Sequence, residues 1–435
     1  NYFSRRKKMI DINLIRENKK EVKKALLKRM EKVDFSSLLE WDDKRKNLKY
    51  EIDTLRAERN KVSQDEIPKL KAEGKDISDK IEEMKEVSKK ISNLEHELNQ
   101  VNNKIDNFMK QLPNIPEEDV PPGGKENNQV EKVWGEKPEF DFELEDHKTI
   151  AEKLDIIDYQ RGAKIGGNGF WVYKDKGALL EWGLLNFFIQ KHIKNGYTFI
   201  LPPHILKYQS GFNSGQFPKF KDDVFHLKED ENKGYNQFLL PTAETALSSY
   251  HENEILKEDE LPLKYFAYTP CYRKEAGSYR KEEKGMIRGH QFNKVELYQF
   301  AKPEDNEKVL EEMIQIVINL TKELNLHSQL SRLAAKDCSA AMAKTFDVEV
   351  WLPSMKKYNE VSSISTAHDY QARRANTKFR KEKSGNTEFV YTFNASGMAT
   401  SRLLPAILEQ NQQEDGSILV PEVLRDWVGQ KYIGK

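Results

Sequence analysis

Two interleaved heptad series run through one stretch of this chain. Met84, Ile91, Leu98, Ile105 and Leu112 form one, and Val87, Leu94, Val101 and Phe108 form the other. An apolar seam kept at positions a and d over four heptads commits the segment to a long helix that must find a partner. Upstream, Trp41, Leu48, Leu55 and Val62 repeat every seven residues and supply that partner. A short polar connector with Pro68 and Gly74 lies between them, where the chain can reverse. Two helices of roughly 30 residues then form an antiparallel hairpin about 45 Å long, over residues 38–112. The hairpin carries 16 basic and 17 acidic residues, so it is not a polybasic arm. Taken alone, such a coiled coil is more often a structural or dimerising element than a reader of nucleic acid.

Ahead of the hairpin, residues 1–32 hold twelve Lys/Arg against four Asp/Glu, and apolar Ile15, Val22, Ala25 and Leu26 follow helical spacing. Asp11–Lys32 reads as one basic amphipathic helix. The eight residues before Met9 read equally as an appended segment or as the remnant of an organellar leader. Behind the hairpin, four prolines and two glycines between Pro113 and Gly124 mark a linker, 113–125. The chain thus divides into an N-terminal helical domain (1–112), the linker, and a second domain over 126–435.

In that second domain, strand-like runs alternate with helix-like ones. The strands are Tyr197–Leu201, Tyr265–Thr269, Val295–Phe300, Val348–Leu352 and Glu388–Phe393; the helices are Ala178–Asn195, Pro303–Leu324 and Leu403–Asn411. The pattern predicts an α+β fold with a mostly antiparallel sheet. Lys+Arg and Asp+Glu each total 71, which excludes a histone-like binder but leaves room for a local basic patch. Cys271 and Cys338 are the two cysteines, too far apart for a CxxC site, so neither a disulfide framework nor a cysteine zinc site is expected. That fits a reducing compartment. The apolar runs are too short to span a bilayer, and a cytoplasmic location is expected.

The chemistry concentrates in Phe266–Glu275 and Gln291–Phe300. The first ends in Arg273, Lys274 and Glu275, and the second carries Phe292 and Glu296. As a hairpin they would offer one guanidinium, one aromatic ring and carboxylates, parts suited to a nucleoside triphosphate. On these residues alone, a solvated charged face is the alternative. Thr242 and Glu244 place a hydroxyl and a carboxylate two positions apart. Glu349, Glu360, Ser362 and Ser363 offer oxygen ligands suited to Mg²⁺. Asn394–Arg402 joins a strand to a helix through small residues that would let a ligand approach the backbone.

Together these segments resemble the seryl-tRNA synthetases, a class II aminoacyl-tRNA synthetase family. The resemblance runs from about Met9 to the C-terminus. Its most specific parts are Thr269–Ser278 (TPCYRKEAGS), residues 289–297 (GHQFNKVEL) and Gln412–Ser417 (QQEDGS). Pro113–Pro116 and Gln371–Arg374 also match. The resemblance implies ATP-dependent ligation of L-serine to tRNA(Ser) through a seryl-adenylate. It implies that Arg273 holds the α-phosphate, that Lys274 also contacts ATP, and that Glu275 lies near the adenine side. Phe292 and Arg402 would take the two faces of adenine, and Val361 and Ser362 would join the ATP wall. Glu360 and Ser363 would ligate Mg²⁺. Thr242, Ala243, Glu244, Glu296 and Ser396, with Arg273, would form the serine pocket. Arg273, Glu275 and Arg402 are the implied catalytic groups. The hairpin would read the long variable arm of tRNA(Ser), and the Gly196–Pro203 region would form a homodimer.

The match departs from the family pattern at Ile364 and Thr366, where Cys and Asn are usual, and at Ala395 and Ser401, where Gly is usual. A synthetase paralogue without activity and a ligase acting on a carrier protein are the competing readings. Four residue groups read as structural. Gly162–Gly169 is a turn rather than a phosphate loop, Cys271 is core, His290 supports the hairpin with His368 at the surface, and Arg373–Arg374 brace the fold. The tail after Arg402 is too short for the C-terminal domain of prolyl, threonyl or glycyl relatives.

Overall fold

The computed structural model describes residues 10–227, 237–274 and 285–434. They fall into two compact units, one of 10–24 with 31–112, the other of 25–30 with 113–434.

In the first unit, α3 (Ser36–Lys61) and α5 (Ser78–Gln111) pair antiparallel, after α1 (Ile12–Glu17) and α2 (Lys19–Leu26) and with α4 (Ile67–Ala72) between them. Leu48, Ile52, Met84, Ile91, Val101 and Ile105 are buried. Val87, Leu94 and Leu98 are only half-buried, because a two-helix pair covers each helix on one side. Trp41 meets Phe108 edge-on at 6.3 Å, and Lys90–Glu51 (2.9 Å) and Lys44–Glu97 (2.6 Å) cross between the helices. Asp42 is fully buried and ion-paired with Arg16 and Arg45. Two expectations change. The single helix over Asp11–Lys32 breaks at Asn18, whose φ −124° and ψ 42° leave the helical region. Pro68 does not end its helix either. The helix continues through a π-helical turn, Val62–Glu66, into α4, and that wider turn just ahead of Pro68 accommodates its missing N–H. The reversal comes at Gly74, whose φ of +69° suits glycine.

The second unit is built on an eight-stranded sheet. Its strands are β1 (Gln129–Trp134), β2 (Thr198–Ile200), β3 (Leu263–Tyr272), β4 (Gln291–Ala301), β5 (Ser328–Arg332), β6 (Lys344–Leu352), β7 (Lys357–His368) and β8 (Tyr391–Ala399). Their spatial order is β1-β5-β6-β7-β8-β4-β3-β2, antiparallel except for the edge pair β2/β3. Helices α6 (Lys176–Lys194), α7 (Asn306–Glu323) and α8 (Thr400–Gln410) share one apolar core with the sheet. Leu184, Phe188, Met313, Val317, Leu404 and Ile407 meet Val295, Leu297, Val348 and Phe393 there. Strand alternation then turns Phe292, Lys294 and Glu296 of β4 to the opposite face. The α+β antiparallel expectation holds.

Local differences remain. The run Glu388–Phe393 divides: Thr387–Phe389 joins a three-stranded side sheet and Tyr391 opens β8. The Gly162–Gly169 stretch divides: Tyr159–Gly166 is a helix capped by Asp158, and the expected turn is confined to Asn168–Gly169. The Pro-rich linker is hydrogen-bonded into its unit, Asn114 reaching Ala340 O, Ala341 O and Ala367 O at 2.7–2.9 Å. His368 is not a free surface residue: its Nε2–H donates to Glu117 at 2.7 Å. Burial would raise the Glu117 carboxyl, but His368 and Lys344 hold it at about 2. Among the described residues no helix is long and apolar enough to cross a membrane.

Arg374 is a fully buried brace. Its guanidinium donates to Phe212 O (2.9 Å) and Phe217 O (3.0 Å) and contacts the Tyr370 hydroxyl (2.7 Å). Arg374→Ala strands two buried carbonyls and should cost about 3 kcal/mol, read as a lowered midpoint in urea unfolding. An unchanged midpoint would remove Arg374 from this role.

Candidate active site

Strands β3 and β4 pair with Cys271 opposite Phe292, Thr269 opposite Lys294 and Ala267 opposite Glu296. Cys271 is buried and burial raises its thiol pKa, as suits a core residue. Beyond β3, Arg273 N donates to His290 O, and His290 Nδ1–H donates back to Arg273 O, both at 2.9 Å. That clasp fixes the mouth of the hairpin, so His290 supports it as expected. The Arg273 side chain donates from Nε to Pro241 O (3.2 Å) and lies 5.2 Å from the centre of the Phe292 ring. Lys274 N donates to Asp223 O at 2.9 Å. Glu275 lies outside the described residues.

A small polar cavity brings together Arg273, Phe292, Lys294, Glu360, Ser396 and Arg402. Arg402 meets Glu360 Oε2 at 2.9 Å. Burial would raise the Glu360 carboxyl, but Arg402, then Arg273 and Lys294, hold it below the ordinary range. Val361 also borders the cavity. Ser362 is turned inward, its hydroxyl donating to Ser396 O, so it serves the sheet rather than the cavity wall. Ser363 stands opposite Asp347 in the β6–β7 ladder. Burial and the Glu360 charge push the Asp347 carboxyl well up. The Glu360 carboxylate and the Ser363 hydroxyl are oxygen donors of the kind Mg²⁺ prefers. Among the described residues no group of three or more His, Cys, Asp or Glu could hold a metal ion. Bound Mg²⁺ would therefore complete its shell with phosphate and water oxygens.

Beside this cavity sits a second, more buried cluster. Glu244, Glu296, Lys294 and Thr242 are each at most 7 % exposed. Lys294 Nζ donates to Thr242 Oγ1 at 2.7 Å and pairs with Glu296. Ser396 is opposite Glu296 across β8–β4. Gln371 Nε2 and Asn394 Nδ2 donate to Glu244 Oε1 at 2.7 and 3.3 Å. Burial, then repulsion from Glu296, pushes the Glu244 carboxyl up to about 7. The Ala243 methyl packs into a small apolar cluster with Leu247, Ala267 and Phe300. Lys294 was not among the expected site residues. Its signal was present, since it lies between Phe292 and Glu296 on one strand face. Gln371 and Asn394 had no such local signal.

The departures from the family pattern lie mostly off the cavity. Ile364 and Ala395 pair across β7–β8 and are buried in the apolar layer. Thr366 donates to Asn306 Oδ1 at 2.8 Å. Ser401 does border the cavity.

The raised Glu244 pKa has a stability consequence. Between about 4.5 and 7 the folded state keeps a proton that the unfolded chain releases. This contribution is full below that window and lost as pH rises through it. Glu244→Gln should therefore match the parent near pH 4 and exceed its stability at pH 8 by on the order of 2–3 kcal/mol. Parallel denaturation curves at both pH values would rule the assignment out.

The sequence matches two family models, the seryl-tRNA synthetase N-terminal domain over residues 9–116 and the tRNA synthetase class II core domain (G, H, P, S and T) over residues 225–411. A serine–tRNA ligase 2 of Clostridium acetobutylicum is 58% identical over 97% of this chain and 99% of its own. A serine–tRNA ligase of Caldicellulosiruptor bescii is 47% identical over the same shares. The crystal structure of seryl-tRNA synthetase from Pyrococcus horikoshii complexed with ATP superposes with a TM-score of 0.91 at 34% identity, covering 98% of this chain and 99% of that one. With that coverage, and with a site assembled from the same hairpin and strand-to-helix segments that carry the resemblance, the chain belongs to the seryl-tRNA synthetase family.

Proposed function

We infer that the chain ligates L-serine to tRNA(Ser) with ATP, through a seryl-adenylate. The carrying observation is the pair of adjoining sites. A cationic and aromatic cavity (Arg273, Phe292, Arg402) stands next to a buried acidic pocket (Glu244, Glu296, Thr242), in a chain 58% identical to a serine–tRNA ligase.

In this reading ATP lies against Phe292, with Arg402 on the other face of adenine and Arg273 at the α-phosphate. The serine ammonium enters the acidic pocket beside Thr242 and Glu244, and the serine hydroxyl meets Glu296. The serine carboxylate attacks the α-phosphorus and the bond to pyrophosphate breaks. Arg273 stabilises the charge that grows on the phosphate oxygens. Mg²⁺, held by Glu360 and Ser363, would neutralise phosphate charge when bound. A ribose hydroxyl at the tRNA 3′ end then attacks the acyl carbon and AMP leaves. No protein nucleophile is needed, and catalysis is mostly positioning. Alanine is rejected because it would leave Glu296 buried without its hydroxyl partner. Threonine must be excluded by pocket size. Lys294 fills part of the acidic pocket in the ligand-free protein and must yield some of its contacts as serine enters.

The hairpin α3–α5 is assigned to the long variable arm of tRNA(Ser). The second copy of a homodimer is assigned to the β2 edge. There Ile193, Phe199 and Leu201 are 52%, 37% and 71% exposed beside an unpaired strand edge, a combination that favours burial against another chain. A cytoplasmic site of action belongs to the same reading.

ATP–pyrophosphate exchange with each of the twenty amino acids should respond to serine alone. Arg273→Ala should lower that exchange by about a hundredfold or more with the fold intact. Exchange with a different amino acid would overturn the specificity, and none from folded protein would favour the inactive paralogue. Replacing Leu48–Val101 with a short turn should spare exchange and cripple tRNA charging. Charging at the full rate would make the hairpin merely structural.

A further inference from the structure

One buried carboxylate takes no part in the chemistry above yet touches both halves of the ATP site. Glu181, on α6, is 4 % exposed. Thr400 Oγ1–H donates to its Oε1 at 2.6 Å, and Asn293 Nδ2 donates to the same oxygen at 2.8 Å. These donors come from different segments. Asn293 follows Phe292 on β4 and turns to the opposite face of the strand. Thr400 opens α8, two residues before Arg402. The hydroxyl of Thr400 also lies 3.2 Å from Asn293 O, so the three residues close a small ring.

We propose that Glu181 is a positioning residue for ATP, a fixed acceptor that sets the spacing between the strand carrying Phe292 and the helix carrying Arg402. The proposal rests on the reading of those two side chains as the adenine clamp.

Three further observations support it. First, α6 is seated tightly on both sides of Glu181. A Cβ at Gly177 would lie 2.1 Å from Ile156 O, and one at Gly183 would lie 2.8 Å from Trp427 Cβ. The helix therefore has little room to shift, and its carboxylate is a stationary point. Second, Asn293 is held from its other end as well, since the Tyr268 hydroxyl donates to its Oδ1 at 3.3 Å. Third, the carboxyl is costly where it stands. Burial pushes it up to about 7, against the bonds from Thr400 and Asn293. Holding the core together does not call for a carboxyl there, because an apolar side chain of similar size would pack without the desolvation cost. What an apolar residue cannot do is accept from both segments at once.

The test is steady-state ATP–pyrophosphate exchange on the full-length protein, with KM for ATP and for serine measured separately and thermal midpoints recorded alongside. Glu181→Ala should raise KM for ATP about tenfold and leave KM for serine within about twofold. Glu181→Gln keeps an acceptor oxygen for both donors and should restore KM for ATP to within about twofold of the parent. Thr400→Val, which removes one donor and leaves Glu181 in place, should reproduce the rise selective for ATP and covers the case in which Glu181→Ala fails to fold. The proposal is overturned if Glu181→Ala and Thr400→Val lower the thermal midpoint but leave KM for ATP unchanged. It is equally overturned if both KM values rise together, or if Glu181→Gln behaves like Glu181→Ala. Phe292→Ala separates the two levels of the argument. If it leaves KM for ATP unchanged, the clamp reading falls and takes this proposal with it. If it weakens ATP while Glu181→Ala does not, only the role of Glu181 is lost.

Discussion

Two carboxylates and one ammonium buried in one cluster, near enough to shift one another's charge, need compensating partners. Glu244, Glu296 and Lys294 occupy that position, and the surrounding structure is arranged around satisfying them. Lys294 and Thr242 answer Glu296, while Gln371 and Asn394 answer Glu244. Gln371 is itself pinned, since its Nε2 reaches Ser214 O and its Oε1 accepts from Tyr298 and Thr392 at 2.8 Å. One pocket is thereby tied to β4, to β8, to the helix Tyr370–Ala375 and to the segment around Ser214. A sheet can hold such a network because alternation gives it one face for charge and another for α6, α7 and α8.

The same alternation explains which parts of the site were legible in the sequence. Phe292 and Glu296 stand out because they sit at even spacing within a run that reads as a strand, and the period carries directly into space. Lys294 obeys the identical rule, yet a lysine between two chosen positions reads as a solvated charge unless the strand is known to be buried. The sequence around Ser362 could not be assigned in that way. A register shift between Val348 and Glu349 resets which side chains face the cavity, so Glu360 and Val361 border it while Ser362 turns inward. Ile364 and Ala395 look like site substitutions in one dimension and pack in the apolar layer in three. Glu181 was invisible for a related reason. Its partners lie 112 and 219 positions away, and nothing in an apolar helix marks one carboxylate as shared by two distant segments.

Helical signals were read with similar limits. The helical pairing follows the heptad period because that period is local, but several seam positions, among them Val87, Leu94 and Leu98, stay half-exposed because two helices cannot enclose each other. Breakers were harder. Proline is a stop signal only when its missing N–H matters. A π-helical turn ahead of Pro68 absorbs the missing hydrogen bond and lets the helix continue. Asn18 broke a helix that its composition favoured, with a helix-terminal conformation that no strong breaker residue announced.

The hairpin poses a different physical question, because its charge nearly cancels. Counterion release gives nucleic-acid affinity in proportion to the phosphates a protein neutralises. Across residues 38–112 the 16 basic side chains face 17 acidic ones. Several of the basic ones are already engaged between the helices, as Lys44, Lys90 and Arg56 are with Glu97, Glu51 and Glu95. Such exposed pairs add little stability, but each lowers the net field that the hairpin presents to RNA. An arm built this way is poorly suited to holding RNA indiscriminately. On the proposed assignment of the hairpin to tRNA, selectivity would have to come from shape, from a two-helix rod matched to a helical feature of the right length and angle. That division suits a two-site enzyme. The sheet concentrates its charge in one buried cluster, whereas the hairpin spreads nearly equal numbers of acidic and basic side chains along its length.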